Sequence, residues 1–255
     1  MKVYFIGAGP GAPDLITLRG VNILKNVPMV MYAGSLVSVE ILEHCAEGTE
    51  IIDTSQLNLE EQESCYLQAK EKHWDVARVH SGDPSIYGAI AEQIRRLNQL
   101  EIPFEIVPGV SSFAASAAAL NAELTKPKMS QTIILTRTSG RASPVPEKEA
   151  LSELAAHQAT LCIFLSGPHL PQIVKDLRQH YPDNTPIVLV YKATWPQEKI
   201  HRSTLENLLD EIKVKDWALS TMILVGEVLS EDLLEESQLY SSQYTHRFRT
   251  AKKTK

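Results

Sequence analysis

The sequence predicts an α/β protein made of two α/β domains. Short β-branched runs alternate with helical stretches along almost the whole chain, which is the pattern of βα units and mostly parallel sheets. The length of 255 residues suits one large domain or two small ones, at ~100–200 residues each. A polar stretch with a proline, Leu124–Lys128, follows an alanine-rich helix and marks a boundary. We therefore predict an N-terminal domain over 1–122, a C-terminal domain over 123–230 and a flexible tail over 231–255.

The predicted N-terminal domain contains a mostly parallel sheet. Short apolar, β-branched runs mark its strands. These strands are predicted at Lys2–Ile6, Pro28–Tyr32, Glu50–Ile52, Val76–His80 and Phe104–Val107. The first helix begins at Thr17, a residue type that caps helix N-termini. The helices of this half are predicted at Thr17–Lys25, Leu59–Lys72, Tyr87–Leu100 and Ser111–Asn121.

The predicted C-terminal domain continues the alternation, but its strands are longer and a hairpin-like turn, Trp195–Glu198, interrupts it. We therefore expect a mixed sheet in this half. Its strands are predicted at Thr132–Thr136, Thr160–Leu165, Pro186–Tyr191 and Met222–Val228. Its helices are predicted at Glu147–Ala156, Leu170–His180 and Thr204–Ile212.

Composition excludes several classes of protein. The chain is 44% hydrophobic and 22% charged, so it can bury a core and is not disordered. Thirty-one acids against 25 Lys and Arg give a net charge of −6, which argues against a general nucleic-acid binder. Apolar runs are too short for a membrane-spanning helix or a signal peptide. The three cysteines are widely spaced and indicate no disulfide framework. The histidines lack the HxH and HxxxH spacings of metal ligands, so no metal site is predicted. We expect a cytoplasmic protein.

The first motif, GAGPGA at 7–12, directly follows a predicted strand. It fits the GxGxxG/A dinucleotide fingerprint, whose glycines let the backbone approach a pyrophosphate. However, Pro10 has no N–H to offer a phosphate, and no acid follows the second strand at Tyr32-Ala33-Gly34 to hold a ribose. These two features disfavour a dinucleotide without removing it, and the other interpretations are a loop that borders a different ligand and a tight structural turn.

Two more small-residue loops follow strands in the same half. HSGDPSIYG at 80–88 places one carboxylate, Asp83, where open α/β sheets bind ligands. Asp83 could instead cap the helix predicted near Tyr87, and the two roles are compatible. PGVSS at 108–112 begins a helix of Ala and Ser, which packs closely or leaves room for a bulky ligand. In the second half, Trp195 is a core residue or, with Ala193, part of a ligand wall.

In this order the loops resemble those of the tetrapyrrole methyltransferases that use S-adenosylmethionine, over residues 1–228. Four longer strings resemble the branch that methylates C-11 of precorrin-4 or cobalt-precorrin-4 in corrin biosynthesis: YAGSLV at 32–37, AELT at 122–125, QTIILTR at 131–137 and YKATWP at 191–196. The resemblance implies a homodimer and S-adenosylmethionine bound in a cleft between two α/β domains. The implied cofactor contacts are Pro10, Gly82, Asp83, Ile86, Ser111, Ser112, Leu165, Ala193 and Thr221.

The chain departs from the family at two places. Ala12 stands where the family usually has Asp, and residues 33–35 lack the carboxylate that relatives acting on uroporphyrinogen carry as a candidate base. The sequence therefore names no general base. The acetate and propionate groups of the substrate are negatively charged, so we expect cationic side chains to bind them. Arg and Lys form charge-assisted hydrogen bonds with carboxylates. The candidates are Lys126, Arg137, Arg141 and Lys192, each of which could equally be an ordinary surface charge.

Three alternatives stay open from the residues. The GxGxxA match leaves a nicotinamide-dependent oxidoreductase, and the fold leaves a non-catalytic tetrapyrrole carrier or a methyltransferase of another precorrin position. Whether the substrate holds cobalt, the stereochemistry of methylation and the order of binding also stay open.

Overall fold

The structure is a computed structural model that describes residues 1–140, 144–230, 244–245 and 247–251. Arg141 and most of the predicted tail (231–243, 246 and 252–255) lie outside the described residues. The chain forms two compact units. The N-terminal unit comprises Met1–Ser116 and Lys192–Glu198, and the C-terminal unit comprises Ala117–Tyr191 and the chain from Lys199 onward.

The N-terminal unit contains a five-stranded sheet in which every pair of neighbours is parallel. Its strands are β1 (Val3–Gly7), β2 (Met29–Tyr32), β3 (Glu50–Asp53), β4 (Val76–His80) and β5 (Phe104–Val107), in the order β3-β2-β4-β1-β5. The helices of this half are α1 (Leu18–Leu24), α2 (Leu59–Glu71), α3 (Ala91–Gln99) and α4 (Ser112–Ala119), which runs across the limit of the unit. The predicted mostly parallel sheet is confirmed.

Apolar residues cover both faces of this sheet, as parallel sheets require. On one face, Leu24 of α1 packs with Val30 of β2 and Val79 of β4. On the other face, Tyr66 of α2 and Leu97 of α3 pack with the apolar strand residues that point to that face. Because successive strand residues point to opposite faces, near-continuous apolar strands fill both layers.

Two of the helices begin at side-chain caps. The Thr17 hydroxyl accepts a hydrogen bond from Gly20 N at 3.2 Å, as its residue type predicts. At α2, Asn58 Oδ1 accepts from Glu61 N at 2.9 Å while Glu61 Oε2 accepts from Asn58 N at 2.8 Å. This reciprocal capping box satisfies two of the backbone donors that a helix start leaves free.

The C-terminal unit contains a five-stranded mixed sheet. Its strands are β6 (Ile133–Arg137), β7 (Thr160–Phe164), β8 (Pro186–Tyr191), β9 (Lys199–Thr204) and β10 (Thr221–Val225), in the order β6-β7-β10-β8-β9. The β6–β7 pair is parallel and the other pairs are antiparallel, which confirms the predicted mixed sheet. Helices α5 (Leu151–Ala155), α6 (Leu170–Leu177) and α7 (Leu208–Glu211) belong to this half. The core joins Leu161, Ile173, Leu189 and Ile223.

Several elements differ from the prediction, and β9, α7 and α3 are three of them. Strand β9 was not predicted, because its residues Lys199–Thr204 are polar and partly exposed and depend on pairing with β8. The helix predicted over Thr204–Ile212 is shorter, since Thr204 still pairs with Pro186 in the β8–β9 ladder. Helix α3 begins at Ala91 instead of Tyr87. Within the described residues, no helix is long and apolar enough to cross a membrane.

Candidate functional site

The glycine loop after β1, the loop after β4 and the loop after β5 interlock through their backbones. Gly82 N donates to Gly9 O at 2.7 Å, and Ala8 N donates to His80 O at 2.8 Å. A Cβ atom built on Gly7 would lie 2.5 Å from Gly82 O, and one built on Gly109 would lie 2.1 Å from the same oxygen. Only glycine fits such close backbone approaches. The three loops thus meet at the carboxyl edge of the sheet, where α/β proteins bind ligands.

Asp83 connects two of these loops. Its Oδ2 accepts a hydrogen bond from Gly109 N at 2.9 Å, and its Oδ1 accepts from Ser85 N at 2.8 Å. The expectation that Asp83 caps a helix near Tyr87 is wrong. Tyr87 and Ala89 have φ angles of 53° and 49°, so the chain cannot be helical there, and the N-cap of α3 is Ile90, which makes no side-chain cap.

The other predicted cofactor contacts of the N-terminal unit lie on or beside these loops. Ile86 N donates to Asp83 O at 3.2 Å, which closes a tight turn. The buried Ser111 begins α4 with its carbonyl oxygen, and Ser112 is the first residue of that helix. Pro10 and Ala193 are both buried. The structure therefore brings Gly82, Asp83 and the start of α4 together around one backbone cradle.

Two predicted cofactor contacts belong to the C-terminal unit and lie near each other. Thr221 begins β10, and Leu165 directly follows β7. In this antiparallel pair Ile223 lies opposite Ile163; Thr221 is two residues before Ile223, and Leu165 is two residues after Ile163. Leu165 has a φ of 53° and is 67% exposed. A positive φ strains the backbone of a leucine, and residues with such strained backbones cluster at ligand and active sites. Leu165 also exposes an apolar side chain that a ligand could cover. The register thus places Leu165 and Thr221 side by side at one edge of the mixed sheet.

The predicted carboxylate-binding cations occupy separate places. Lys126 precedes β6 and donates from Nζ to Ser230 O at 3.2 Å, whereas Arg137 ends β6 and donates from Nη1 to Thr138 O at 3.2 Å. Lys192 lies in the segment 192–198, with its Nζ 5.2 Å from the centre of the Trp195 ring. Arg141 lies outside the described residues.

Sequence reasoning missed a carboxylate beside the loop after β2. Asp53 ends β3, opposite Tyr32 of β2, and its Oδ1 accepts from Gly34 N at 3.1 Å and from Ser55 N at 2.8 Å. The hydrogen bond from Ser55 N, helped by that from Gly34 N, lowers the pKa of the Asp53 carboxyl. Residues 33–35 do lack an acid, but the neighbouring strand supplies one. The adjacency of consecutive strands was the signal that could have found it.

Buried polar groups lie beneath the loop after β4. Arg78 donates from Nε to Gln93 Oε1 at 3.1 Å, and the same oxygen accepts from Tyr66 OH at 2.9 Å. His80 is 5% exposed and its Nε2 has no hydrogen-bond partner among the described residues. Burial, together with the nearby Arg78 charge, lowers the pKa of His80 to about 3. His80 is therefore neutral at physiological pH and cannot act there as a cationic acid. No cluster of His, Cys, Asp and Glu suited to a metal occurs in the described part of the chain.

Comparison with known proteins decides the family. The model of the family described as Tetrapyrrole (Corrin/Porphyrin) Methylases matches residues 2–209. The chain belongs to the tetrapyrrole methylase family. The predicted family resemblance is confirmed over most of the chain.

Individual tetrapyrrole methylases are similar over nearly the full length. A precorrin-4 C(11)-methyltransferase of Pseudomonas aeruginosa is 47% identical over 249 residues, covering 98% of this chain and 99% of that protein. The X-ray structure of a cobalt precorrin-4 methyltransferase, a cobalamin biosynthetic enzyme, is 45% identical with a TM-score of 0.86, covering 90% of this chain and 96% of that one. A uroporphyrin-III C-methyltransferase of Thermus thermophilus, complexed with S-adenosylhomocysteine, is 27% identical with a TM-score of 0.74, covering 90% and 99%.

Proposed function

We propose that the protein transfers a methyl group from S-adenosylmethionine to C-11 of precorrin-4 or cobalt-precorrin-4 in cobalamin biosynthesis. The observation that carries the proposal is the 47% identity to a precorrin-4 C(11)-methyltransferase over 98% of this chain. Methylation at another position of the macrocycle is less well supported, because relatives named as uroporphyrin(ogen)-III C-methyltransferases are 27% and 31% identical, against 47% for the one named for C-11 of precorrin-4.

The loops suit S-adenosylmethionine as methyl donor. Gly7 and Gly109 leave no room for a side chain, and Gly82 has a φ of 64°, which disfavours one, so the ligand edge is formed by backbone groups and small residues. Backbone amides and carbonyls can hold the amino-acid and ribose groups of the donor through hydrogen bonds. In our proposal the contacting residues are Pro10, Gly82, Asp83, Ile86, Ser111, Ser112, Leu165, Ala193 and Thr221.

The chemical step needs positioning more than acid–base groups. The electron-rich ring carbon attacks the methyl group, the carbon–sulfur bond breaks with its electron pair on sulfur, and a proton leaves the macrocycle. Holding two reactants in near-attack geometry can supply ~7–11 kcal/mol of the barrier. The rigid glycine loops and the Asp83 connection provide that order on the protein side. Lys126, Arg137, Arg141 and Lys192 are the proposed partners of the substrate carboxylates.

A nicotinamide cofactor is not favoured by the glycine loop. Pro10 has no N–H, Ala12 N already donates to Thr194 Oγ1 at 2.9 Å, and α1 begins only at Leu18. The fingerprint for dinucleotides instead needs free loop amides that lead directly into a helix N-terminus. Asp53 does stand at the end of a strand, yet its Oδ1 already accepts from two backbone amides.

The proposal includes the setting of the enzyme. We propose a homodimer in the cytoplasm with domains at 1–122 and 123–230, on the strength of the family resemblance and of the unpaired cysteines. Light scattering at working concentration should give twice the 28.4 kDa monomer mass. A monomer mass would contradict the dimer and leave the methyl transfer untouched.

Mass spectrometry tests the reaction. The purified protein is incubated with S-adenosylmethionine and either enzymatically made precorrin-4 or its cobalt complex. We expect one added methyl group on one or both acceptors, together with S-adenosylhomocysteine. In parallel, calorimetric titration should show binding of the methyl donor and not of NAD or NADP. Absence of a methylated product with both acceptors, or tighter binding of NAD, would overturn the proposal.

A further inference from the structure

A pocket in the N-terminal unit lies next to the glycine loop. It has a volume of about 510 Å³, within the ~300–1,000 Å³ usual for small-molecule sites. Three segments form it: the glycine loop, the loop after β2 with the helical turn Val39–His44 that follows it, and the segment 192–198. We call the segment 192–198 the strap. Its walls include Ala12, Val37, Val39, Glu40, Trp195 and Pro196.

The strap is held on the glycine loop by two hydrogen bonds between residues far apart in the chain. Ala12 N donates to Thr194 Oγ1 at 2.9 Å, and Trp195 Nε1 donates to Pro10 O at 2.9 Å. Lys192 and Thr194 have φ angles of 49° and 69°. A β-branched residue in the left-handed region is a genuine outlier and persists only where surrounding contacts impose it. The position of Trp195 is therefore strongly constrained.

The indole of Trp195 lies directly against the glycine loop. A Cβ atom built on Gly11 would lie 2.2 Å from Trp195 Cδ1 and 2.3 Å from its Nε1. Trp195 is nevertheless only half-buried, and it lines the pocket. One part of the ring thus packs on the loop backbone while another part forms a wall of the pocket.

The charge of the pocket lining bears on which part of a tetrapyrrole fits. Glu40 is the charged residue of the lining, and the other lining residues are apolar or neutral. A carboxylate there disfavours the acetate and propionate groups of the substrate, because like charges repel. A pyrrole ring presents apolar faces and an N–H donor, which suits an indole wall and a carboxylate acceptor. Lys192 Nζ lies over the Trp195 ring, 5.2 Å from its centre, so a positive charge stands next to this wall of the pocket.

We propose that this pocket takes one pyrrole ring of the methyl acceptor and that Trp195 is the wall on which the ring stacks. Trp195 is then a specificity-determining residue for the acceptor. The inference rests on the proposed function, since it presupposes a tetrapyrrole substrate. It assigns the acceptor, and not the methyl donor, to this pocket.

Two substitutions at Trp195 separate the wall from the hydrogen bond. Trp195→Phe and Trp195→Leu both lose the N–H that binds Pro10 O, but only Phe keeps an aromatic face. Stacking of aromatic pairs contributes enough to change affinity by up to about tenfold. We expect the Leu variant to have a KM for precorrin-4 about ten times that of the Phe variant, with equal calorimetric Kd for S-adenosylmethionine. Equal KM values in the two variants would overturn the inference.

A second pair of variants leaves the strap intact. Val39 is 63% exposed in the pocket, and Leu18 is 83% exposed on α1 outside it. Val39→Glu and Leu18→Glu add the same charge to an exposed aliphatic position. We expect Val39→Glu to raise the KM for the acceptor about tenfold or more, and Leu18→Glu to change it less than twofold. No effect of Val39→Glu would overturn the inference. A wild-type protein that methylates neither acceptor would instead refute the proposed function itself.

Discussion

Replacing Asp83 by alanine tests whether its carboxylate connects the ligand-edge loops. The side chain accepts from Gly109 N at 2.9 Å and from Ser85 N at 2.8 Å. Gly109 is partly buried and sits against Gly82 O and Gly7 Cα, so its amide has little room to find another partner. Ser85 is exposed, and water can replace that acceptor at little cost.

The expected loss therefore comes mainly from the bond to Gly109. A hydrogen bond to a charged group contributes ~1.5–3 kcal/mol. We expect Asp83→Ala to lower the free energy of unfolding by about 2 kcal/mol, or Tm by roughly 4–8 °C for a chain of this size. If Asp83 also contacts the methyl donor, its Kd should rise by about ten- to more than a hundredfold.

Denaturation and calorimetric titration on one variant measure both effects. Asp14→Ala is the matched control, since Asp14 is an exposed aspartate of the neighbouring loop. We expect that variant to keep its stability within about 0.5 kcal/mol. Lower stability with unchanged affinity would remove Asp83 from the cofactor site. Unchanged stability and affinity together would refute the connection between the two loops.

Three further outcomes are expected. Gly109→Ala should prevent stable folding or cost at least ~3 kcal/mol, because its Cβ would lie 2.1 Å from Gly82 O. Gly140→Ala should be tolerated, because no atom of the described residues lies within 4 Å of the added Cβ. Equal melting temperatures of the two variants would contradict this. The pKa of His80 is about 3 in the folded protein and 6.5 in the unfolded chain, so between these values only the unfolded chain takes up the proton. The free energy of unfolding therefore decreases as the pH is lowered below 6.5, by about 2 kcal/mol at pH 5. His80 ring resonances in NMR that titrate above pH 5 would contradict it. Asn58→Ala should cost ~1 kcal/mol in urea unfolding by removing the capping box, while Asn98→Ala on the exposed face of α3 should not.

The sequence by itself determined the alternation of strands and helices and the position of the ligand-edge loops. Strands β4, β5 and β8 have the predicted bounds, because each is a short and largely apolar run between turn residues. The motifs at Gly7 and Gly109 were visible for a similar reason, since each follows directly on such a run. The family also followed from the order of these local strings.

Only the tertiary structure decided what these loops contact. The bond of Asp83 to Gly109 N, the approach of Asp53 to Gly34 and the contact of Trp195 with Pro10 join residues 26, 19 and 185 positions apart. Strand β9 is polar and forms because β8 offers it backbone partners. Local periodicity records which face of an element is buried, but it does not record which distant backbone group a side chain will meet. That choice is made when the sheet brings the ends of separate strands to one edge.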